Sequence, residues 1–158
     1  MFLKKSKVKL FAPISGNNMN MLKVKDPLFS KQILGPGVAI MPSDDLVTSP
    51  CVGKVIMISP TLHAIGIKTE NDMEILIHIG IDTVNLNGDG FKLLCKLSQS
   101  VEVGTPLVKF DFQVMQEKKV DLTTMMIVTN HNDYKIDVLH DEILVKSSET
   151  IMIEGLRK

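Results

Sequence analysis

The chain reads as an all-β protein, an antiparallel sandwich or barrel with at most short helical turns, on three observations. From Phe11 onward glycine or proline recurs at close intervals, at Pro13, Gly16, Pro27, Gly35, Pro36, Gly37, Pro42, Pro50, Gly53 and Pro60. Such breaks leave no room for a long helix. The runs between and after them are short and rich in β-branched and aliphatic residues, as strands are. Two of these runs flank the turn-forming Glu70-Asn71-Asp72, which is the pattern of a β-hairpin.

Taken in order, residues 1–9 carry four lysines around Phe2, Leu3 and Val8. They are expected to form a basic tail over residues 1–10, with a weak basic anchor on a membrane surface as the alternative. Residues 11–158 then make one unit, without internal repeat or linker. Strands are expected over 53–58, 63–68, 73–79 and 107–110. A brief helix is expected over 112–118, where Asp111 can cap the first turn and Glu117 lies near the end. A second helical candidate covers 130–138, with cap-like Asn132 and Asp133 but a β-branched interior that argues against it.

The 158 residues and 17.5 kDa suit a single domain. Eighteen Lys and Arg balance eighteen Asp and Glu, so a nucleic-acid partner is not expected. With 44% hydrophobic and 23% charged residues the chain is not disordered. No apolar run is long enough to cross a bilayer, so no stable membrane insertion is expected. Cys51 and Cys95 are the only cysteines, no secretory leader is evident, and a cytoplasmic location is expected. Both lie in apolar stretches without an activating base and read as structural thiols. His131 and His140 sit in polar segments and are not assigned to a site.

The hairpin carries the chemistry. On its second strand Ile75, Ile77 and Ile79 share one side, and Glu74, Leu76 and His78 the other. On the first, Thr61, His63, Ile65 and Ile67 share a face, so the two imidazoles meet only if the pairing sum is odd. A four-residue loop over 69–72 sets His63 opposite His78 at about 4.5–5.5 Å between Cβ atoms, and a two-residue loop at Asn71-Asp72 makes them diagonal neighbours. The Thr61 hydroxyl can accept an imidazole N–H from His63 and orient that ring. Gly80 permits close approach to the backbone beside His78, and Asp82 gives that opening an acidic rim that would attract a basic partner.

Neutral imidazole is nucleophilic near pH 7, so His78 can accept a phosphoryl group while a second imidazole donates to its oxygens. Zinc held by His63 and His78 is the competing reading and the weaker one. Zinc wants three or four protein ligands, and no HxH, HExxH or CxxC spacing supplies the rest. The missing ligands likewise disfavour a zinc peptidase. With neither a P-loop nor a kinase-type glycine loop, phosphate has to arrive from another protein.

These residues resemble a known family. His78-Ile79-Gly80-Ile81-Asp82-Thr83-Val84, preceded fifteen residues earlier by His63-Ala64, is similar to the IIA domain of the glucose family of the bacterial sugar phosphotransferase system. The likeness extends through Phe11-Ala12-Pro13-Ile14-Ser15-Gly16, Gly37-Val38-Ala39-Ile40-Met41-Pro42, Ser49-Pro50-Cys51-Val52-Gly53, Gly88-Asp89-Gly90-Phe91, Val101-Glu102-Val103-Gly104 and Phe110-Asp111. It implies a β-sandwich in which His78 takes a phosphoryl group from the phosphohistidine of HPr and hands it to a cysteine of a IIB domain. It assigns His63 to stabilising that group, Thr61 to holding His63, and Asp82 to meeting positive charge on HPr. It also implies an apolar collar for docking partners, matched here by Leu28, Phe29, Ile33, Leu34, Leu76 and Val84. No metal or cofactor is required on this reading.

Departures lie at Pro60, Thr61 and Leu62, where the family often carries a more polar stretch, and at Ile79 and Asn85. A regulatory binding protein, whose grip on transporters or metabolic enzymes is switched by phosphorylation, is the alternative role.

Overall fold

The structure is a computed structural model in which residues 7–158 are described. Among these residues the chain passes through β1 (Lys7–Phe11), β2 (Gly16–Met19), α1 (Pro27–Ser30), β3 (Gly37–Pro42), β4 (Leu46–Thr48) and β5 (Gly53–Ile58). The hairpin follows as β6 (Ala64–Thr69) and β7 (Glu74–Ile79), then β8 (Phe91–Leu93), β9 (Ser100–Val101), β10 (Pro106–Phe110) and α2 (Phe112–Glu117). The last strands are β11 (Thr124–Val128), β12 (Tyr134–Val138), β13 (Leu144–Val145) and β14 (Ile151–Arg157). The fold class is therefore the expected one, and the pairings are antiparallel throughout.

One eight-stranded sheet runs β13-β2-β3-β11-β7-β6-β5-β9, and two three-stranded sheets run β1-β14-β12 and β4-β10-β8. Period-two alternation decides which side chains go where. Val38, Ile40, Ile65, Ile67, Ile75, Ile77, Met126 and Val128 leave one face of the large sheet and pack with Leu10, Phe110, Met152 and Ile153 from the smaller sheets in the main core. Their alternates Ala39, Met125 and Ile127 leave the opposite face. There they are covered by Met21, Val24 and Phe29 from α1 and the short 3-10 turn before it. β11 is thus buried on both faces, which explains its unbroken Thr-Met-Met-Ile-Val sequence.

The short helix over 112–118 is present as α2. The Asp111 carboxylate accepts from the amides of Gln113 and Val114, and Lys118 is the C-cap. Residues 130–138 are not a helix: a 3-10 turn at His131–Asp133 leads into β12, paired with β14. Tyr134 is buried, and Ile136 and Val138 are partly buried between exposed neighbours, so period two and β-branching override the caps. Part of the basic tail expected over residues 1–10 is strand. Lys7 to Leu10 belong to β1, where buried Val8 and Leu10 alternate with exposed Lys7 and Lys9 against β14. Residues 1–6, and with them the alternative of a basic membrane anchor, lie outside the described residues. Among the described residues no helix is long and apolar enough to cross a membrane.

Candidate active site

His78 occupies the outward face of β7, opposite the isoleucine row, as alternation requires. It pairs with Ala64 on one side and Met125 on the other. Its ring lies against Phe29, with centroids 4.9 Å apart. Nδ1 is 2.9 Å from the carbonyl oxygen of Gly80. A carbonyl can only accept, so Nδ1 carries the proton and donates, and Nε2 is left with the lone pair.

Gly80 serves the site through this carbonyl. Its φ of +77° lies in the left-handed region, and a Cβ there would come within 2.5 Å of Thr83 Cγ2 and 3.0 Å of the Asp121 carbonyl oxygen. The close approach allowed by the missing side chain is made by the protein's own turn. The amides of Gly80 and Ile81 donate to the carbonyls of Thr123 and Asp121, and the Thr83 hydroxyl donates to that of Ile79. The Gly80 peptide is thereby fixed beneath the imidazole.

His63 reaches the same side by a route that alternation did not predict. The hairpin loop has three residues, with Thr69 and Met73 closing it: the Asp72 amide donates to the Thr69 carbonyl, and the Met73 amide to the Thr69 hydroxyl. Asp72 is left-handed, the usual exit from a three-residue loop. The register is therefore Lys68 with Glu74 and Ala64 with His78, an even pairing sum in place of the odd one expected. Ile65 and Ile67 face the core with Ile77 and Ile75, and His63 does not share their face. It precedes β6, following Leu62, which has a left-handed φ of 63°. That reversal turns the side chain outward. The two rings stand edge to face at 80°, centroids 4.9 Å apart.

Thr61 is where the expectation put it relative to His63, with Oγ1 2.6 Å from Nδ1. Ser59, which the strand pattern did not single out, has its hydroxyl 3.4 Å from the same nitrogen. Only the local fold reveals this contact, because Ser59 lies across a turn from His63. Burial lowers the pKa of His78 from the usual 6.5 to about 4, with the neighbouring His63 acting in the same direction. The Gly80 carbonyl, Asp26 and Asp82 oppose that shift. Burial also lowers the pKa of His63. Both imidazoles are neutral at pH 7, and the lone pair of His78 is on Nε2.

Asp82 is exposed at the start of the 3-10 turn Thr83–Leu86, with its side chain making no cap hydrogen bond. It borders a depression of about 630 Å³ with Asp26, Lys25 and Asn85. Asp26 was not anticipated as a neighbour of the site, although Asp26-Pro27 is a readable helix start: its carboxylate accepts from the Leu28 amide. Of the collar residues, Leu28 (47% exposed), Ile33 (62%) and Val84 (50%) offer open apolar surface. Leu34 and Leu76 are half-buried. Phe29 is the correction: at 2% exposure it presents nothing to a partner and instead packs beneath His78.

Among the described residues no group of three or more His, Cys, Asp or Glu side chains is placed to hold a metal ion. Cys51 and Cys95 are buried and free. Burial pushes the Cys51 thiol up to about 12 and raises that of Cys95, so neither is a nucleophile at neutral pH.

Comparison with known proteins converges on one assignment. The family described as "phosphoenolpyruvate-dependent sugar phosphotransferase system, EIIA 1" matches residues 8–134. The chain is 38% identical over 146 residues to the PTS system glucoside-specific EIICBA component of Staphylococcus carnosus, covering 92% of this chain and 21% of that one. It is 35% identical over 147 residues to the PTS system glucose-specific EIIA component of Staphylococcus epidermidis, covering 93% of this chain and 89% of the relative. The glucose permease IIA of Mycoplasma capricolum superposes with a TM-score of 0.86 at 33% identity, over 97% of this chain and 99% of the other. The chain belongs to the EIIA 1 family of the phosphoenolpyruvate-dependent sugar phosphotransferase system.

Proposed function

We propose that this phosphotransferase-system component carries the phosphoryl group on Nε2 of His78, taking it from the phosphohistidine of HPr and passing it to a cysteine of a IIB domain. The observation that carries the proposal is the neutral His78 ring, with Nδ1–H donated to the Gly80 carbonyl and a second imidazole edge-on at 4.9 Å. In the first transfer the Nε2 lone pair attacks phosphorus, a new N–P bond forms and the donor's N–P bond breaks. Its electron pair returns to the donor imidazole. In the second, a thiolate attacks the same phosphorus and His78 leaves as neutral imidazole.

His63 stabilises the charge on the phosphoryl oxygens through Nε2–H, with Thr61 holding its ring. Asp82 meets positive charge on the donor, and Leu28, Ile33, Leu34, Leu76 and Val84 form the apolar surface on which donor and acceptor dock in turn. Docking excludes water and aligns the reacting atoms. The transfer uses no metal or cofactor, since attacking and leaving groups both come from proteins. Because the phosphate originates in phosphoenolpyruvate, the exchange belongs in the cytoplasm. The IIB partner is supported by a relative whose own name, EIICBA, joins an A unit to B and C.

Incubation with radiolabelled phospho-HPr tests this directly. The wild-type protein takes label, His78→Ala does not, and His63→Gln takes label but is impaired in passing it to IIB. Undiminished labelling of His78→Ala would overturn the assignment.

A further inference from the structure

A strand placed by strict alternation would bury His63 with Ile65 and Ile67, so something outside the strand has to turn it outward. Ser59 stands at that point. Its amide donates to the Ala64 carbonyl at 3.0 Å, its carbonyl accepts from the Leu62 amide at 2.9 Å, and its hydroxyl oxygen accepts from the Ala64 amide at 3.1 Å. Both ends of the segment containing His63 are thus tied to one residue. The side chain performs a second task. The Ser59 Oγ, which accepts from the Ala64 amide, also stands 3.4 Å from His63 Nδ1.

The direction of that hydrogen bond has a chemical consequence. A neutral imidazole carries one proton. If Nδ1 held it, Nε2 would be a bare acceptor and would repel a phosphoryl oxygen. If Nδ1 accepts from hydroxyls, the proton sits on Nε2, the atom free to face a phosphoryl group. Thr61, whose Oγ1 has Nδ1 as its hydrogen-bond partner at 2.6 Å, can donate or accept equally well. Ser59 favours donation to Nδ1: its O–H has no other acceptor among the described residues, so directing it at a bare Nδ1 satisfies both groups.

We propose that Ser59 is a positioning residue for phosphoryl transfer, holding His63 on the side of His78 and, together with Thr61, keeping its ring in the tautomer with hydrogen on Nε2. It acts through His63 and touches no reacting atom. The proposal rests on the reading of His63 as the group that stabilises the phosphoryl oxygens.

Nitrogen-15 NMR of the imidazoles reads the tautomer without any transfer taking place. In the wild-type protein Nδ1 of His63 shows the shift of a bare nitrogen and Nε2 that of a protonated one. In Ser59→Ala the two move toward each other as the tautomers mix, and Ser59→Thr restores them. Onward transfer to IIB falls about two- to tenfold in Ser59→Ala, the loss that one neutral hydrogen bond represents. It falls no further when Ser59→Ala is added to His63→Ala. Unchanged His63 nitrogen shifts in Ser59→Ala would overturn the proposal, as would an equal loss of transfer in the His63→Ala background, which would mark a merely structural effect. Normal transfer by His63→Ala, with disturbed shifts in Ser59→Ala, would remove the assigned role of His63 while supporting Ser59's hold on the ring.

Discussion

His78 faces Ala64 across the β6–β7 pair, yet it is His63, one residue earlier, whose ring stands edge-on to it at 4.9 Å. The arrangement depends on a break in regular strand geometry at Leu62 and not on register. It leaves Ile65, Ile67, Ile75, Ile77 and Ile79 on the core face of this hairpin, while both imidazoles sit on the opposite surface.

The depressed His78 pKa predicts the pH dependence of phosphoryl acceptance. An ordinary imidazole loses its lone pair to a proton below about 6.5, whereas this one does so only near 4. Initial rates of transfer from phospho-HPr, corrected for donor hydrolysis, should stay level down to about pH 5. A fall with a midpoint near 6.5, traced to His78 by NMR titration, would show that burial does not hold the ring neutral.

The same shift predicts a stability effect whose sign follows from linkage. The folded pKa lies below the unfolded value, so as pH falls through about 6.5 the unfolded chain takes up the proton first and stability is lost until about 4 is passed. His78→Asn should therefore lose less stability between pH 7 and 4.5 than the wild type, by about 2 kcal/mol once partial exposure is discounted. Urea unfolding at the two pH values measures it. Equal losses would count against the shift.

Gly80→Ala should disturb both fold and chemistry. The left-handed backbone costs a non-glycine residue about 1–3 kcal/mol, and the added Cβ meets Thr83 and the Asp121 carbonyl. Moving the peptide withdraws the acceptor of His78 Nδ1–H. The expected result is a lower unfolding midpoint together with slower phosphoryl acceptance. A variant of wild-type stability and rate would show that this turn does not orient the ring.

The collar should divide into two layers. Phe29→Ala removes a buried ring from the second core cluster and is expected to cost about 3–5 kcal/mol. Ile33→Ala, on an exposed side chain, should change stability by less than about 0.5 kcal/mol, while weakening HPr binding measured by calorimetry. Unaltered binding in Ile33→Ala and Leu28→Ala would remove these residues from the docking surface.

Much of this architecture was legible because local signals and tertiary demands agree. The hairpin strands are marked by β-branched runs on either side of Glu70-Asn71-Asp72, and α2 by Asp111, which caps it as expected. Where signals compete, alternation prevails: residues 134–138 keep a strand pattern despite cap-like Asn132 and Asp133, and Val8 and Leu10 draw part of the basic tail into β1. The register was not legible. It rests on the Thr69 hydroxyl and a left-handed Asp72, which distinguish a three-residue loop from its neighbours only once the turn is closed. Nor could sequence spacing place Ser59 at His63 or bury Phe29 under His78, since Ser59 reaches His63 across a turn and Phe29 reaches His78 from α1, packed on the sheet's outer face.

The central claim is most directly tested by locating the new N–P bond. Phosphorus-31 and nitrogen-15 NMR of protein phosphorylated by phospho-HPr should show a single phosphohistidine, with phosphorus coupled to Nε2 of His78 and the proton retained on Nδ1. Phosphorus bonded to Nδ1 of His78, or to either nitrogen of His63, would contradict it.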